Sequence, residues 1–304
     1  MRSQRGSIRG AHLTRRGWLL FGALGILWGI PYLLIKVAVA EVSPAALVFL
    51  RTAIGAGLLL PLVPRAQLRP LLRRWRPLVA FTVVELAVPW YLLSDAERRL
   101  SSSFCGLMIA AVPLVGAVMA LLTGHHERID GRRLTGLVVG LGGVVALLGI
   151  DVSRGDALAV LEVAVVVVGY ATGPLIVSRH LADVPSLGVV TASLALCAIA
   201  YAPVALLQLP PAIPPAPVVA AIAALGILCT AIAFVVFFHL IAETGPVRAT
   251  VVTYVNPAVA VVLGVVLLRE RFTVGTAVAF VLILGGSFLA TRGPGAAAEV
   301  TARE

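Results

Sequence analysis

Pro113-Leu114-Val115-Gly116-Ala117-Val118-Met119-Ala120-Leu121-Leu122 leads to Glu127-Arg128 and then to Leu141-Gly142-Gly143, and this pattern occurs twice. The second copy reads Pro257, an apolar run to Leu268, Glu270-Arg271 and Leu284-Gly285-Gly286. Pro113 pairs with Pro257 at an offset of 144; Glu127/Glu270, Arg128/Arg271, Gly142/Gly285 and Gly143/Gly286 pair at 143. A proline, a charged turn and a double glycine recur in one order at half the chain length. An internal repeat decides the fold before any local reading does.

The composition says what solvent the repeat lives in. Of 304 residues, 60% are hydrophobic and 12% charged, with a mean hydropathy of +1.03. A soluble domain carries about 25% charged residues, so this chain has too little polar surface to cover a core of its size. Its apolar runs reach about 20 residues, enough for helices to cross a ~30 Å hydrocarbon layer. The net charge of +10 does not indicate nucleic-acid binding: 23 of the 24 basic residues are Arg, and most lie in short clusters between apolar runs, as in loops facing an anionic leaflet. Cys105, Cys197 and Cys229 all lie inside apolar runs, with no disulfide or metal-ligand spacing.

The basic arm 1–16 precedes a first apolar run that contains Pro31 and Lys36 and is too long for a signal-peptide core, despite the small Ala38-Val39-Ala40 stretch. The periodic runs predict ten spans near 17–39, 44–64, 77–96, 101–122, 134–150, 157–178, 186–207, 217–241, 246–268 and 274–291, followed by a polar tail from residue 292. With the N-terminus in the cytoplasm, 17 basic residues fall inside and five outside, the five being Arg98, Arg99, Arg154, Arg269 and Arg271. This split predicts both ends inside. Five spans per repeat is an odd number, so the halves, 17–150 and 151–291, enter the membrane from opposite sides. Inverted repeats of this kind place a solute site near the midplane, where they meet.

Trp28-Gly29, Lys36, Pro44 and Arg51, followed by the late Pro–Glu–Gly-Gly unit, resemble the EamA repeat of the drug/metabolite transporter superfamily. The resemblance covers about 17–291. It implies an all-α, ten-helix inner-membrane transporter with a central cavity. Members move amino acids, sugars, nucleotide sugars or cationic drugs, often outward. The second copy departs from the pattern: Gly173-Pro174, Arg179 and Pro185 echo Gly29, Pro31, Lys36 and Pro44, but Ala171 faces Trp28 and no basic residue near Ala192 matches Arg51.

The candidate site residues are the sparse polar groups inside apolar spans. Glu85 lies about 12 Å deep at 1.5 Å per residue, and a carboxylate there needs a partner or a wet cavity. Thr82, Glu85 and Pro89 share its helix face. Glu162 is shallower. Trp28, Tyr32 and Lys36 align on one face of the first span, and the rings suit stacking on a cation or ring. Span nine offers Thr250, Thr253, Tyr254, Asn256 and Pro257; the last frees the Thr253 carbonyl. Pro113 and Pro257 are the expected hinges. Arg51 is expected to pair with an acid such as Glu41, or with a carbonyl, or to snorkel. Trp90 and Tyr91 read as an interfacial belt, His239 as interfacial, and Gly136, Gly140 and Gly143 as a packing seam.

No HExxH, GxSxG or phosphate-loop motif is present in the sequence. The reading is therefore a secondary transporter without cofactor or metal, exporting a small organic metabolite or drug by alternating access. Its partners would be the solute, the bilayer and a coupling proton, with a monomer and a dimer both open. The rival classes are an intramembrane enzyme acting on a lipid-linked substrate, which should cluster its acids at one membrane face, and a non-transporting scaffold.

Overall fold

The computed structural model describes residues 14–122, 131–151, 156–245 and 249–291, and all regular structure among them is helical. The first half holds α1 (Arg15–Gly29), α2 (Pro31–Ala38), α3 (Pro44–Leu59), α4 (Arg65–Arg73), α5 (Trp75–Phe81), α6 (Val88–Ala96), α7 (Ser102–Ile109), α8 (Val112–Leu122) and α9 (Gly131–Asp151). The second holds α10 (Ala157–His180), α11 (Ser186–Leu207), α12 (Ala216–Gly226), α13 (Ala233–Thr244), α14 (Asn256–Leu267) and α15 (Val274–Thr291). The turn that holds Glu127 and Arg128 lies outside the described residues.

The helices start where the sequence supplies caps. Thr14 accepts from the Gly17 N–H at 3.1 Å, Ser43 from Ala46 at 3.2 Å and Ser101 from Phe104 at 3.1 Å, and Pro44 fills the first position of α3, where its missing N–H costs nothing. Prolines also divide spans. Pro31 opens α2 directly behind α1, Pro113 is the second residue of α8 behind α7, and Pro257 is the second residue of α14 behind a 3₁₀ turn at Thr250–Tyr254. Among the described residues, nine helices are long and apolar enough to cross a membrane. A further apolar segment among them, Val251–Leu267, is shorter and combines a 3₁₀ turn with a helix.

The packing is nearly closed under exchange of the two halves. α3 packs on its counterpart α11, α9 on α15 and α7 on α14, while α6 on α10 is matched by α13 on α1. The α9–α15 seam shows why the double-glycine motif is there. A Cβ on Gly286 would sit 2.3 Å from the Gly140 nitrogen and 2.6 Å from the Gly136 oxygen; one on Gly143 would sit 2.9 Å from the Ile283 nitrogen. The other glycine of each pair, Gly142 and Gly285, meets nothing within 4 Å. In each half, one glycine of the pair therefore lets two backbones touch, in the way helices associate where lipid removes the usual apolar driving force.

One expectation fails locally. The arginine-rich stretch 65–76 reads as a loop, yet it forms α4 and leads directly into α5. Leu71 is buried and Leu68 partly so beneath α4, while the arginines splay outward, so the stretch is an amphipathic surface helix.

Candidate functional site

The two halves share a departure from α-helical geometry. Residues Thr82–Ala87, between α5 and α6, form a π-helical stretch, and so do Ile227–Ile232, between α12 and α13. These segments are counterparts in the repeat. In the first, Pro89 has no N–H to give the Glu85 carbonyl four residues back, and its ring would crowd that oxygen. The helix widens, and the Val88 N–H bonds five residues back to Val83. Tyr201 donates to the Ala87 carbonyl at 2.9 Å, satisfying another group of this stretch. In the second, the Ala233 N–H reaches five residues back to Leu228, and the Thr230 hydroxyl donates to the Leu225 carbonyl at 2.8 Å. π-Bulges inside helices occur frequently at functional sites.

Glu85 projects from the first of these stretches onto α10. Its carboxylate lies directly over Gly173, where a Cβ would sit 2.8 Å from the Glu85 carboxyl carbon, and Gly169 is pressed against the Val84 carbonyl. Glu85 Oε2 is buried with no hydrogen-bond partner among the described residues. Tyr170, one turn along α10, is near enough to sense the charges of both Glu85 and Arg51.

Arg51 is buried at mid-α3 and does not meet Glu41. Its Nε donates to Thr230 Oγ1 at 3.0 Å, and its guanidinium carbon lies 3.7 Å from the centre of the Trp90 ring. Trp90 is 7% exposed, so it belongs to this core contact and not to an interfacial belt. Tyr91 is the exposed one of the two and stacks on Tyr201.

A second polar cluster closes the end of the bundle opposite Arg15. Lys36 Nζ donates to the carbonyls of Glu97 at 2.6 Å and Leu100 at 2.8 Å, holding the C-terminal end of α6. Glu270 accepts from the Ser102 and Ser103 N–H groups at 2.7 and 2.9 Å and from the Ser103 hydroxyl at 2.5 Å, capping α7 from across the repeat boundary. Glu97 sits between them with no solvent exposure, and neither of its carboxyl oxygens has a hydrogen-bond partner among the described residues. Burial pushes its carboxyl well above the usual carboxylate range; Lys36 opposes this, and Glu270 adds to it. A folded value above the unfolded ~4.3 means that this group's contribution to stability is fully present below the unfolded value and is lost as pH rises through the folded one. Glu97→Gln should therefore keep its melting temperature in detergent between pH 5 and 8 while the wild type loses stability, by about 1.4 kcal/mol for each pH unit between the two values. Parallel pH profiles for the two proteins would show that Glu97 does not hold the proton.

The structure engages the other candidate residues in different ways. Tyr32 is buried in the main core beside Gly106 and senses the charges of Tyr170, Glu97 and Arg51. Asn256 is buried where α14 begins, its Oδ1 without a partner among the described residues, and its backbone oxygen faces Gly29. Pro257 beside it is buried, whereas Pro113 is half-buried. Trp28 packs on Phe237 and Phe234 of α13, with centroids 4.8 and 6.0 Å away. Tyr254 turns to α15, its hydroxyl 2.8 Å from Thr291 Oγ1. Thr253 lies in the same 3₁₀ turn, half-buried. Glu162 accepts from Arg99 at 2.5 Å, and Arg99 also bonds Asp95 at 2.8 Å. His239 is exposed, its Nδ1 2.8 Å from the Val235 carbonyl. Among the described residues no group of His, Cys, Asp or Glu could hold a metal ion, and the three cysteines are buried and free.

Sequence reasoning missed Tyr170, Thr230 and Glu97. The offsets of the sequence repeat, 143 and 144, place Leu228 and Cys229 opposite Glu85; only the π-helical stretches themselves, which match at an offset of 145, bring Thr230 to that position. Glu97 lies just past the predicted span 77–96, outside the apolar runs whose polar residues mark the candidate site. An apolar cleft of about 430 Å³, lined by Val42, Leu50, Ile54 and Ile222, includes none of the polar residues above.

The pattern of the EamA-like transporter family matches residues 15–149 and again residues 157–292. The chain belongs to this family. It is thus a membrane transporter of the drug/metabolite transporter superfamily, with the two-repeat architecture. It is 28% identical over 253 residues to the "Uncharacterized inner membrane transporter YedA" of Escherichia coli K12, covering 81% of each chain, and the same holds for the protein of that name from strain O157:H7. A crystal structure with 24% identity superposes at a TM-score of 0.65 over 96% of this chain and 100% of its own, a likeness of fold.

Proposed function

We propose that this EamA-family protein is a ten-span secondary transporter of the inner (plasma) membrane, built as two inverted five-helix repeats (17–150 and 151–291) with both termini cytoplasmic. It exports a small organic metabolite or drug by alternating access. The observation that carries this reading is the pair of π-helical stretches at matching places in the two halves, with Glu85 on one and Thr230 on the other. Non-α backbone deep in a membrane persists only where protein or an internal cavity satisfies it, and repeat transporters place their sites at such broken helices.

Glu85, Tyr32 and Asn256 are the central solute-binding group in this proposal. Thr253, Tyr254, Trp28 and Glu162 form its periphery; Tyr254 bonds Thr291, Trp28 packs on Phe237 and Glu162 bonds Arg99. Pro113 and Pro257 are the hinges. The Lys36–Glu97–Glu270 cluster is the outer gate, closed in this conformation, and proton movement supplies the energy.

Two measurements test the reading. Purified protein in liposomes should accumulate at least one of a set of labelled amino acids, sugars, organic acids and quaternary amines when a pH gradient is imposed, and uptake should collapse with an uncoupler. No gradient-driven uptake across the whole set counts against a transporter of this kind. For topology, single cysteines at Gln67 and Ile213 are exposed to an impermeant thiol reagent on intact cells. Labelling at 213 and not at 67 is expected; the reverse pattern overturns the orientation.

A further inference from the structure

Arg51 is 8% exposed and sits about 10 Å along α3 at 1.5 Å per residue. Such a charge inside a membrane protein normally meets an acid. Among the described residues no carboxylate lies within 4.0 Å of it, and the ion pairs of the structure all lie elsewhere. Its Nε is used by Thr230, and one face of the guanidinium by Trp90. Its two terminal nitrogens have no hydrogen-bond partner among the described residues. The groups that sense its charge most are neutral ones, Cys229, Tyr170, Tyr32 and Cys197; Glu97 feels it from beyond ion-pair distance.

The partners present hold the guanidinium without neutralising it. Trp90 fixes the plane of the group, and Thr230 fixes its rotation within that plane. The edge left over is the pair of terminal nitrogens, the fork that meets the two oxygens of a carboxylate in parallel. A contact that served only to tie α3 to its neighbours would not need a permanent charge, since a neutral donor could reach Thr230. Phosphate fits less well: it carries a larger charge, and the other basic group of the spans, Lys36, is already spent on two carbonyls.

We infer that Arg51 docks a carboxylate of the transported solute, between Trp90, Thr230 and Tyr170. This rests on the transporter reading and narrows it to solutes that carry an acid. Tyr170 also senses Glu85, so a solute that reaches across it meets an acid on the other side.

The test uses full-length protein in detergent and matched ligands: phenylalanine beside phenylalaninamide, phenylacetate beside phenylacetamide, succinate beside succinamide, and gluconate beside glucose. At about 10 mM, at least one acid should raise the melting temperature by roughly 3 °C while its neutral counterpart does not, since a ligand stabilises only the state that binds it. Arg51→Gln should weaken that acid at least tenfold and leave acid and counterpart alike. Arg51→Lys, which keeps the charge but loses the fork, should retain part of the preference. If no pair shows an acid preference in the wild type, or if the preference survives in Arg51→Gln, the carboxylate site is wrong. Should Arg51→Gln not purify, an undiminished preference in Arg51→Lys is the overturning result, since the fork would then be irrelevant. Failure of the two readings can be told apart. Uptake of a solute without an acid, unchanged in Arg51→Lys, removes this site and leaves the transporter. Acid binding with no gradient-driven uptake leaves the site and removes the proton-driven reading.

Discussion

Gly286→Ala is expected to cost about 3 kcal/mol and Gly285→Ala to stabilise slightly, although the two residues are neighbours in one helix. The new methyl of Gly286→Ala would sit 2.3 Å from the nitrogen and 2.4 Å from the Cα of Gly140, and 2.6 Å from the Gly136 carbonyl oxygen. These are backbone atoms of α9, so no rotamer change relieves the clash; the two helices must separate along their length. Gly285 faces outward, and its methyl meets nothing within 4 Å. There the only effect is the usual gain of replacing a helical glycine, about 0.5–1 kcal/mol. The first half repeats the experiment. Gly143→Ala should destabilise against Leu282 and Ile283, and Gly142→Ala should not. The measurement is thermal unfolding in detergent followed by size-exclusion elution. Equal melting temperatures for Gly285→Ala and Gly286→Ala would show that α9 and α15 do not touch as described.

This seam shows what the sequence reveals by itself. The paired Gly-Gly motifs and the stripe Gly136, Gly140 and Gly143 announce a close helix contact, because glycine costs a helix stability unless something must approach it. They do not say which helix approaches. That α9 meets α15 emerges only from the three-dimensional exchange of halves. The polar residues divide in the same way. Glu85 stands out in the sequence because a carboxylate in an apolar run is expensive wherever it points. The π-helical stretch beneath it has one visible cause, Pro89, but the matching stretch at Ile227–Ile232 contains no proline and leaves no local trace. Arg51 is conspicuous too, yet Glu41, the acid nearest in sequence, is not its neighbour; its contacts come from residues 39 and 179 positions away. Glu162 is conspicuous for the same reason as Glu85, and the structure shows Arg99 already bonded to it. Local cost identifies which residues need a partner. The pairing itself is long-range and has no periodic signature.

Glu85→Gln is expected to reduce transport at least tenfold and to flatten its dependence on pH, while the protein remains folded. The amide keeps the shape of the side chain over Gly173, so packing against α10 survives, and what is lost is the ability to gain and lose a proton. A carboxyl that is protonated in one conformation and ionised in the other links proton movement to alternation between them. A carboxyl that only pairs with a cationic solute would lose affinity without losing the pH profile. Interactions with a charged group contribute about 1.5–3 kcal/mol, which corresponds to roughly 10- to 100-fold in rate or affinity. Gly173→Ala supplies the positional counterpart. A Cβ there would overlap the carboxylate, 2.0 Å from Oε2, and push it off α10 while leaving it titratable. If position matters as well as charge, Gly173→Ala should depress transport but keep a pH dependence, with its midpoint displaced. The assay is uptake in liposomes from pH 5.5 to 8.5 for wild type, Glu85→Gln, Glu85→Asp and Gly173→Ala, each checked for folding by size-exclusion elution. Glu85→Asp should retain partial activity with a shifted profile. If Glu85→Gln transports at the wild-type rate with the wild-type profile, Glu85 is a structural contact of α10, and proton coupling must be sought at Glu97, the other buried carboxyl with unpartnered oxygens among the described residues.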